Sequence, residues 1–191
     1  LDADLQEYAA KRLGEEAGSA VVMDVKTGQI LTMVSTPGYD PNLFVNGISQ
    51  TAYNTLLENE RRPLFHKAYD GFYPPGSTFK MVVATAALES GLVDGAQRVN
   101  CIGHMSLGGR RFHCWKRGGH GMMNMHEAIK HSCDIYFYDI ALKVGPQRIS
   151  SVAHRLGLGE DWDLGLPGGG TGDVPRSGLE ACQAERALVP G

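Results

Sequence analysis

One corner constrains this chain more than any other stretch. Tyr73-Pro74-Pro75-Gly76-Ser77-Thr78-Phe79-Lys80 runs directly into the apolar segment Met81-Val82-Val83-Ala84-Thr85-Ala86-Ala87-Leu88. A residue before proline is pushed out of the helical region, so Pro74 and Pro75 predict an extended approach. Gly76 then allows a sharp turn. The run of good helix formers behind it predicts a buried helix over residues 77–90, with Gly91 just past its C-terminus. Ser77 falls in the first turn of that helix, and Lys80, three residues on, shares its face.

That pairing has a chemical meaning. A serine hydroxyl is a poor nucleophile until a neighbour takes its proton. Burial and a positive helix end both favour a neutral lysine able to act as that base. The helix N-terminus also offers unpaired N–H groups to an oxyanion. For a bare S-x-x-K the commoner meaning is a capping serine and a surface lysine. The Pro-Pro-Gly corner and the apolar helix shift the balance toward chemistry.

The 191 residues suffice for one domain with a proper core, and 42% hydrophobic with 20% charged residues is a globular composition. A net charge of −3 gives no case for nucleic acid or an acidic membrane surface. No apolar run reaches the roughly 18 residues that a membrane span needs. The chain opens on Leu1-Asp2-Ala3-Asp4-Leu5 with no signal peptide, and reads as an excised piece.

Leu5, Tyr8, Ala9 and Leu13 have helical spacing, with Gly14 as the stop. Residues 19–25 and 30–35 read as two strands of a hairpin around the turn Lys26-Thr27-Gly28-Gln29. Residues 36–42 are loop, and 49–58 a short helix. Residues 91–123, rich in Gly and His, form a long loop or ribbon excursion, of the kind that is functional or needs a staple. Asn124 and Glu127 spell a capping box. The run 135–142 is a second buried helix ending near Gly145, and Pro146 starts a third, ending at Gly157. Beyond it Gly and Pro dominate.

The strand pair, Asp40-Pro41-Asn42, Pro74-Pro75-Gly76-Ser77-Thr78-Phe79-Lys80 and Ser132-Cys133-Asp134, in this order, resemble the penicillin-binding protein transpeptidase domain, closest to its class B, elongation-type members. The resemblance covers about residues 1–165. It implies an α+β penicillin-binding/serine β-lactamase-like fold, a helical subdomain plus part of an antiparallel sheet. It also implies roles. Ser77 attacks the D-Ala-D-Ala amide of a peptidoglycan stem peptide and forms an acyl-enzyme. Lys80 deprotonates it. Ser132 relays protons to the leaving amine, and Asp134 stands where the family usually has Asn. A second stem peptide resolves the ester into a cross-link, and β-lactam antibiotics stall it. A parent protein at the periplasmic face of the bacterial inner membrane, beside a membrane glycosyltransferase of the elongation machinery, is implied too. Taken alone, Ser132 reads as an N-cap of the helix at 133–143 and Asp134 as a helix-terminal charge. Lys26-Thr27-Gly28 spells the family's third motif but lies in a hairpin turn upstream of Ser77, so it is read as a turn. No other K-T-G or K-S-G occurs in 135–191, and the tail 166–191 departs from the family. A truncated chain of doubtful independent activity is the expectation.

Cys101, Cys114, His120 and Cys133 form a possible tetrahedral zinc set, three thiolates and one imidazole, in an excursion with little apolar core. Some relatives resemble it in having a mixed-ligand zinc site here. The competing readings are a Cys101–Cys114 disulfide and a buried free Cys133. His113 is the nearest substitute for His120, and Cys182 has no role. Arg110, Arg111, Lys116 and Arg117 form a basic, solvated patch, and Trp115 and Trp162 read as packing residues. Two other functions share these residues: a serine β-lactamase or β-lactam sensor, and a non-catalytic zinc-stapled cell-wall module.

Overall fold

Asp2 starts the first helix by accepting the Leu5 N–H at 2.9 Å, and α1 runs Ala3–Leu13. It is followed by the antiparallel hairpin β1 (Gly18–Met23) and β2 (Ile30–Thr36), in register from Gly18 opposite Thr36 to Val22 opposite Thr32. The Gln6 side chain donates to the Met33 carbonyl at 2.8 Å and accepts the Met33 N–H at 2.9 Å, which fastens α1 to β2. Between the strands the Asp24 carboxylate accepts the Lys26 and Thr27 N–H groups, and Gly28 takes φ +74°. Lys26-Thr27-Gly28 is therefore an Asx-type turn.

This computed structural model describes residues 1–166, 168–170 and 172–174. The chain forms two compact units, Leu1–Tyr73 with Asp163–Gly170, and Pro74–Trp162 with the described residues from 172 on. In the first, α2 (Asn42–Val45) follows the Asp40-Pro41 loop and α3 spans Gln50–Leu57, capped by Ser49. No sequence signal marks a helix at 42–45. There the Asp40 carboxylate accepts the Asn42 N–H at 2.9 Å and starts a single turn. Tyr69 donates to the Leu166 carbonyl at 2.6 Å, and Asp70 accepts the Gly169 N–H, which ties residues 163–170 to this unit. Most of the tail expected over 166–191, Cys182 included, lies outside the described residues.

The second unit departs from the expected helix over 77–90 at its very start. Gly76–Phe79 is a 3-10 turn, and the α-helix, α4, begins only at Lys80 and runs to Glu89. Pro75 is not extended: it has φ −67° and ψ −19°. Gly76 sits at φ +55°, and neither proline has an N–H. The turn opens with the Thr78 N–H on the Pro75 carbonyl at 3.3 Å and closes with the Lys80 N–H on the Ser77 and Thr78 carbonyls. In a 3-10 turn residues i and i+3 eclipse, which stacks Lys80 directly over Ser77.

The excursion is two nested ribbons. β3 (Val99–Cys101) pairs with β6 (Gly121–Met123), and within them β4 (His104–Leu107) pairs with β5 (Arg110–His113) across Gly108-Gly109. Gly103 and Gly119 let the two ribbons meet. A Cβ on Gly103 would lie 2.0 Å from the Arg117 carbonyl oxygen, and one on Gly119 2.1 Å from that of Cys101. After β6 come α5 (Met125–Lys130), α6 (Asp134–Val144) and α7 (Pro146–Arg155). The core of this unit lies where α4, α6 and α7 pack. Val82, Val83, Ala86 and Ala87 of α4 meet Tyr136, Ile140 and Val144 of α6 and Val152 and Ala153 of α7. Small residues on α4 permit close approach, and Ile140, with no exposed surface, would cost roughly 2–5 kcal/mol if cut to Ala.

Candidate active site and metal centre

The 3-10 turn, α4 and the α5–α6 junction bring four side chains of the second unit to one point. Lys80 Nζ lies 3.1 Å from Ser77 Oγ and 2.9 Å from Ser132 Oγ, and Ser132 Oγ–H donates to Ser77 Oγ at 2.9 Å. Lys80 Nζ also lies 2.9 Å from the Ser132 carbonyl and 2.5 Å from Asp134 Oδ1. Four oxygens thus surround an amine that, as ammonium, has three protons to give. The Lys80 and Asp134 side chains are 14% and 22% exposed, so this ion pair is poorly screened by water. Where the sequence reading expects a neutral amine, the geometry adds a carboxylate that receives the charged one. Burial raises the affinity of Asp134 for a proton. The hydrogen bond and charge of Lys80 and the Trp115 N–H outweigh it and hold the carboxyl below the usual carboxylate range.

The backbone around Ser132 explains its reach. Asn124 accepts the Glu127 N–H at 2.9 Å while Glu127 accepts the Asn124 N–H at 3.0 Å, a complete capping box at the start of α5. At the other end, the Ser132 N–H bonds to the Ile129 carbonyl at 3.1 Å and the Cys133 N–H to that of Ala128 at 2.9 Å. This is a Schellman motif, whose left-handed position usually holds glycine. Here it holds Ser132, at φ +50°. The capping alternative for Ser132 is thereby corrected: Cys133 is the N-cap of α6, and Ser132 closes α5 instead. The left-handed residue reverses the chain and turns the hydroxyl toward α4.

Against the same junction lies the second cluster. The ligating atoms of Cys101, Cys114, His120 and Cys133 all fall within 4.8 Å of one another, and the three cysteines are free thiols. A zinc ion about 2.3 Å from sulfur and about 2.0–2.1 Å from nitrogen has a tetrahedral S···N edge of about 3.6 Å. His120 Nδ1 is 3.6 Å from Cys101 Sγ and 3.5 Å from Cys114 Sγ, so the donor set fits that ion. Burial, with Lys116 and His131, holds His120 below its ordinary value, in the neutral form that ligates. Burial pushes Cys101 up, but backbone hydrogen bonds from His120 and Gly103 and contacts with the other thiols bring it below the usual thiol range. Burial, opposed by the Tyr136 N–H and reinforced by Cys101 and Cys114, pushes Cys133 up to about 12. His113 is not in the cluster. It faces His104 across the β4–β5 ribbon, with ring centroids 6.2 Å apart.

One residue here was read as packing and is not. Trp115 is 65% exposed. Its backbone N–H donates to Asp134 Oδ2 at 3.0 Å and its indole N–H to the His131 carbonyl at 3.0 Å. Its position directly after Cys114 was the only signal in the sequence.

The penicillin-binding protein transpeptidase domain model matches residues 18–187, past the 165 at which the motif resemblance stops. The peptidoglycan D,D-transpeptidase MrdA of Acinetobacter baumannii is 40% identical over 177 residues, 92% of this chain and 26% of that protein. The solved Pseudomonas aeruginosa PBP2 in complex with WCK 5153 superposes with a TM-score of 0.87 at 40% identity, covering all of this chain and 43% of that one. The Helicobacter pylori PBP2 in its complex with MreC gives a TM-score of 0.86 at 32% identity, over 96% and 34% of the two chains. The chain thus spans about a quarter of the curated relative's length. A matched family model over most of its residues, on a fold shared with solved PBP2 structures, makes this chain a member of the penicillin-binding protein transpeptidase domain family.

Proposed function

We propose that the protein carrying this chain is a serine-type peptidoglycan D,D-transpeptidase, with Ser77 as nucleophile. The observation that carries the reading is the closed triangle of Ser77 Oγ, Lys80 Nζ and Ser132 Oγ, with edges of 3.1, 2.9 and 2.9 Å. In acylation, Ser77 Oγ attacks the carbonyl carbon of the penultimate D-Ala of a stem peptide. The neutral Lys80 amine takes the Ser77 proton, and Asp134 stabilises the ammonium so formed. As the C–N bond breaks, Ser132 Oγ donates its proton to the departing D-Ala amine and is reprotonated by Lys80. The Ser77 N–H, in the first turn of a helix, has no intrahelical acceptor and faces the developing oxyanion. The amine of a second stem peptide then attacks the ester, and the relay runs in reverse to restore Ser77–OH. A β-lactam enters by the same first step, its ring amide opening onto Ser77.

Cys101, Cys114, His120 and Cys133 are proposed to hold a structural zinc, which when bound neutralises the thiolates and cross-links an excursion with little core of its own. In the whole protein the site would face the periplasm at the inner membrane, next to a membrane glycosyltransferase that supplies glycan strands. The relative solved with MreC supports such assembly with partners. Among the described residues no helix is long and apolar enough to cross a membrane. The test is labelling of the full-length protein with a fluorescent penicillin. Covalent label lost in Ser77→Ala supports the reading, and an unlabelled wild-type protein removes it.

A further inference from the structure

Ser132 must hold a left-handed backbone that serine does not favour, and its neighbours on both sides are tied to one residue of the excursion. The carbonyl of His131, just before it, accepts the Trp115 indole N–H at 3.0 Å, and the carboxylate of Asp134, two residues after it, accepts the Trp115 backbone N–H at 3.0 Å. Asp134 is thus divided: Oδ2 faces Trp115, while Oδ1 faces Lys80 at 2.5 Å. The ring of Trp115 also meets that of His120 edge-on, with centroids 5.3 Å apart, and Trp115 follows Cys114 directly. With 65% of its surface in solvent, Trp115 contributes little by burial. What it contributes is two directed polar contacts, one on each side of Ser132.

We infer that Trp115 is a positioning residue for acylation. It clamps the turn that aims Ser132 Oγ at Ser77 and Lys80, and it joins the Cys/His cluster mechanically to the nucleophile. This rests on the transpeptidase reading. The indole N–H bonds the His131 carbonyl and so adds a second hold on the peptide between His131 and Ser132, whose N–H already bonds the Ile129 carbonyl. Without that bond the Schellman bonds remain, but the peptide gains freedom to rotate and the hydroxyl spends less time on the line between Ser77 and Lys80.

The experiment uses the full-length protein with two changes at one position. Trp115→Phe keeps an aromatic ring and the backbone N–H. Replacement by β-(3-benzothienyl)alanine keeps the whole shape and removes only the indole N–H. Fluorescent-penicillin acylation is followed over a concentration series, with bound metal and melting temperature measured alongside. Both variants are expected to lose about tenfold in maximal acylation rate, the effect of about one hydrogen bond, while half-saturation, metal content and melting temperature stay at wild-type values. Wild-type acylation rates in the benzothienyl variant overturn the inference. So does a rate loss that only tracks lost metal or lowered melting temperature, since that is a structural role. A wild-type protein that does not label, or a Ser77→Ala variant that still does, overturns the transpeptidase reading itself. That outcome is distinct from one in which only the Trp115 clamp fails.

Discussion

Replacing Ser132 by Gly and, separately, by Ala separates what the backbone wants from what the chemistry needs. Both changes delete the hydroxyl and with it the 2.9 Å contacts to Ser77 and Lys80. They differ in the cost of φ +50° and in the freedom of the unfolded chain. For an L-residue the left-handed region costs roughly 1–2 kcal/mol, which glycine escapes. Glycine returns roughly 0.4–1 kcal/mol through its freer unfolded chain. The balance favours Ser132→Gly over Ser132→Ala by about 1 kcal/mol, or about 2–4 °C in melting temperature for a domain of this size. Both variants should lose penicillin labelling to a similar degree, because both lack the proton relay. The assay is a pair of thermal melts and a labelling time course on each protein. An Ala variant as stable as the Gly variant would refute the strain argument, and a fast-labelling variant of either kind would refute the relay.

Four other outcomes follow from the same geometry. Cys114→Ser, or dialysis against a strong chelator, should lower the melting temperature and release about one equivalent of zinc per chain, measured by elemental analysis. Gly119→Ala should be far more damaging than an ordinary surface change, because its Cβ would meet the Cys101 carbonyl oxygen at 2.1 Å and one ribbon must move; soluble yield and melting temperature report it. Asn124→Ala removes half of the capping box and should cost about 1 kcal/mol in denaturant unfolding with Ser77 still acylated. Burial, helped by the Arg62 charge, holds Lys67 below its ordinary 10.5. The unfolded chain keeps that proton longer, so stability should rise with pH between the folded value and 10.5, a rise absent in Lys67→Met when unfolding is measured across that range.

Much of this site was legible because its parts are local. Ser77 and Lys80 lie within one turn, and the Asn124–Glu127 box announces α5 in four residues. The hairpin turn at Lys26-Thr27-Gly28 was readable from its turn residues, and the structure keeps it a turn. What the sequence hid was conformation that depends on context. The two prolines were read as extended. Pro75 instead takes helical angles, because Gly76 can reverse the chain immediately after it. Ser132 looked like a cap for the helix after it and proved to end the one before it, since serine is a poor marker of a left-handed position. Trp115 was invisible because both of its bonds reach 16 or more residues along the chain. The Cys/His set was visible as a group, but only the nested ribbons, pinned at Gly103 and Gly119, show why His120 and not His113 faces the thiols.

The six-residue helix α5 has a further consequence, because it is closed at both ends by its own residues. It behaves as a gauge block, with Asn124 as one stop and Ser132 as the other. Adding or deleting a single residue inside it would rotate the far stop by about 100° and shift it by about 1.5 Å, carrying the hydroxyl off its line to the nucleophile. Met125 and Ala128 are buried and Glu127 completes the cap, so only the exposed side chains of the block, such as His126 and Lys130, are free to vary. Its length is not, and chain-length changes in this region can be absorbed only before Asn124, in the ribbons.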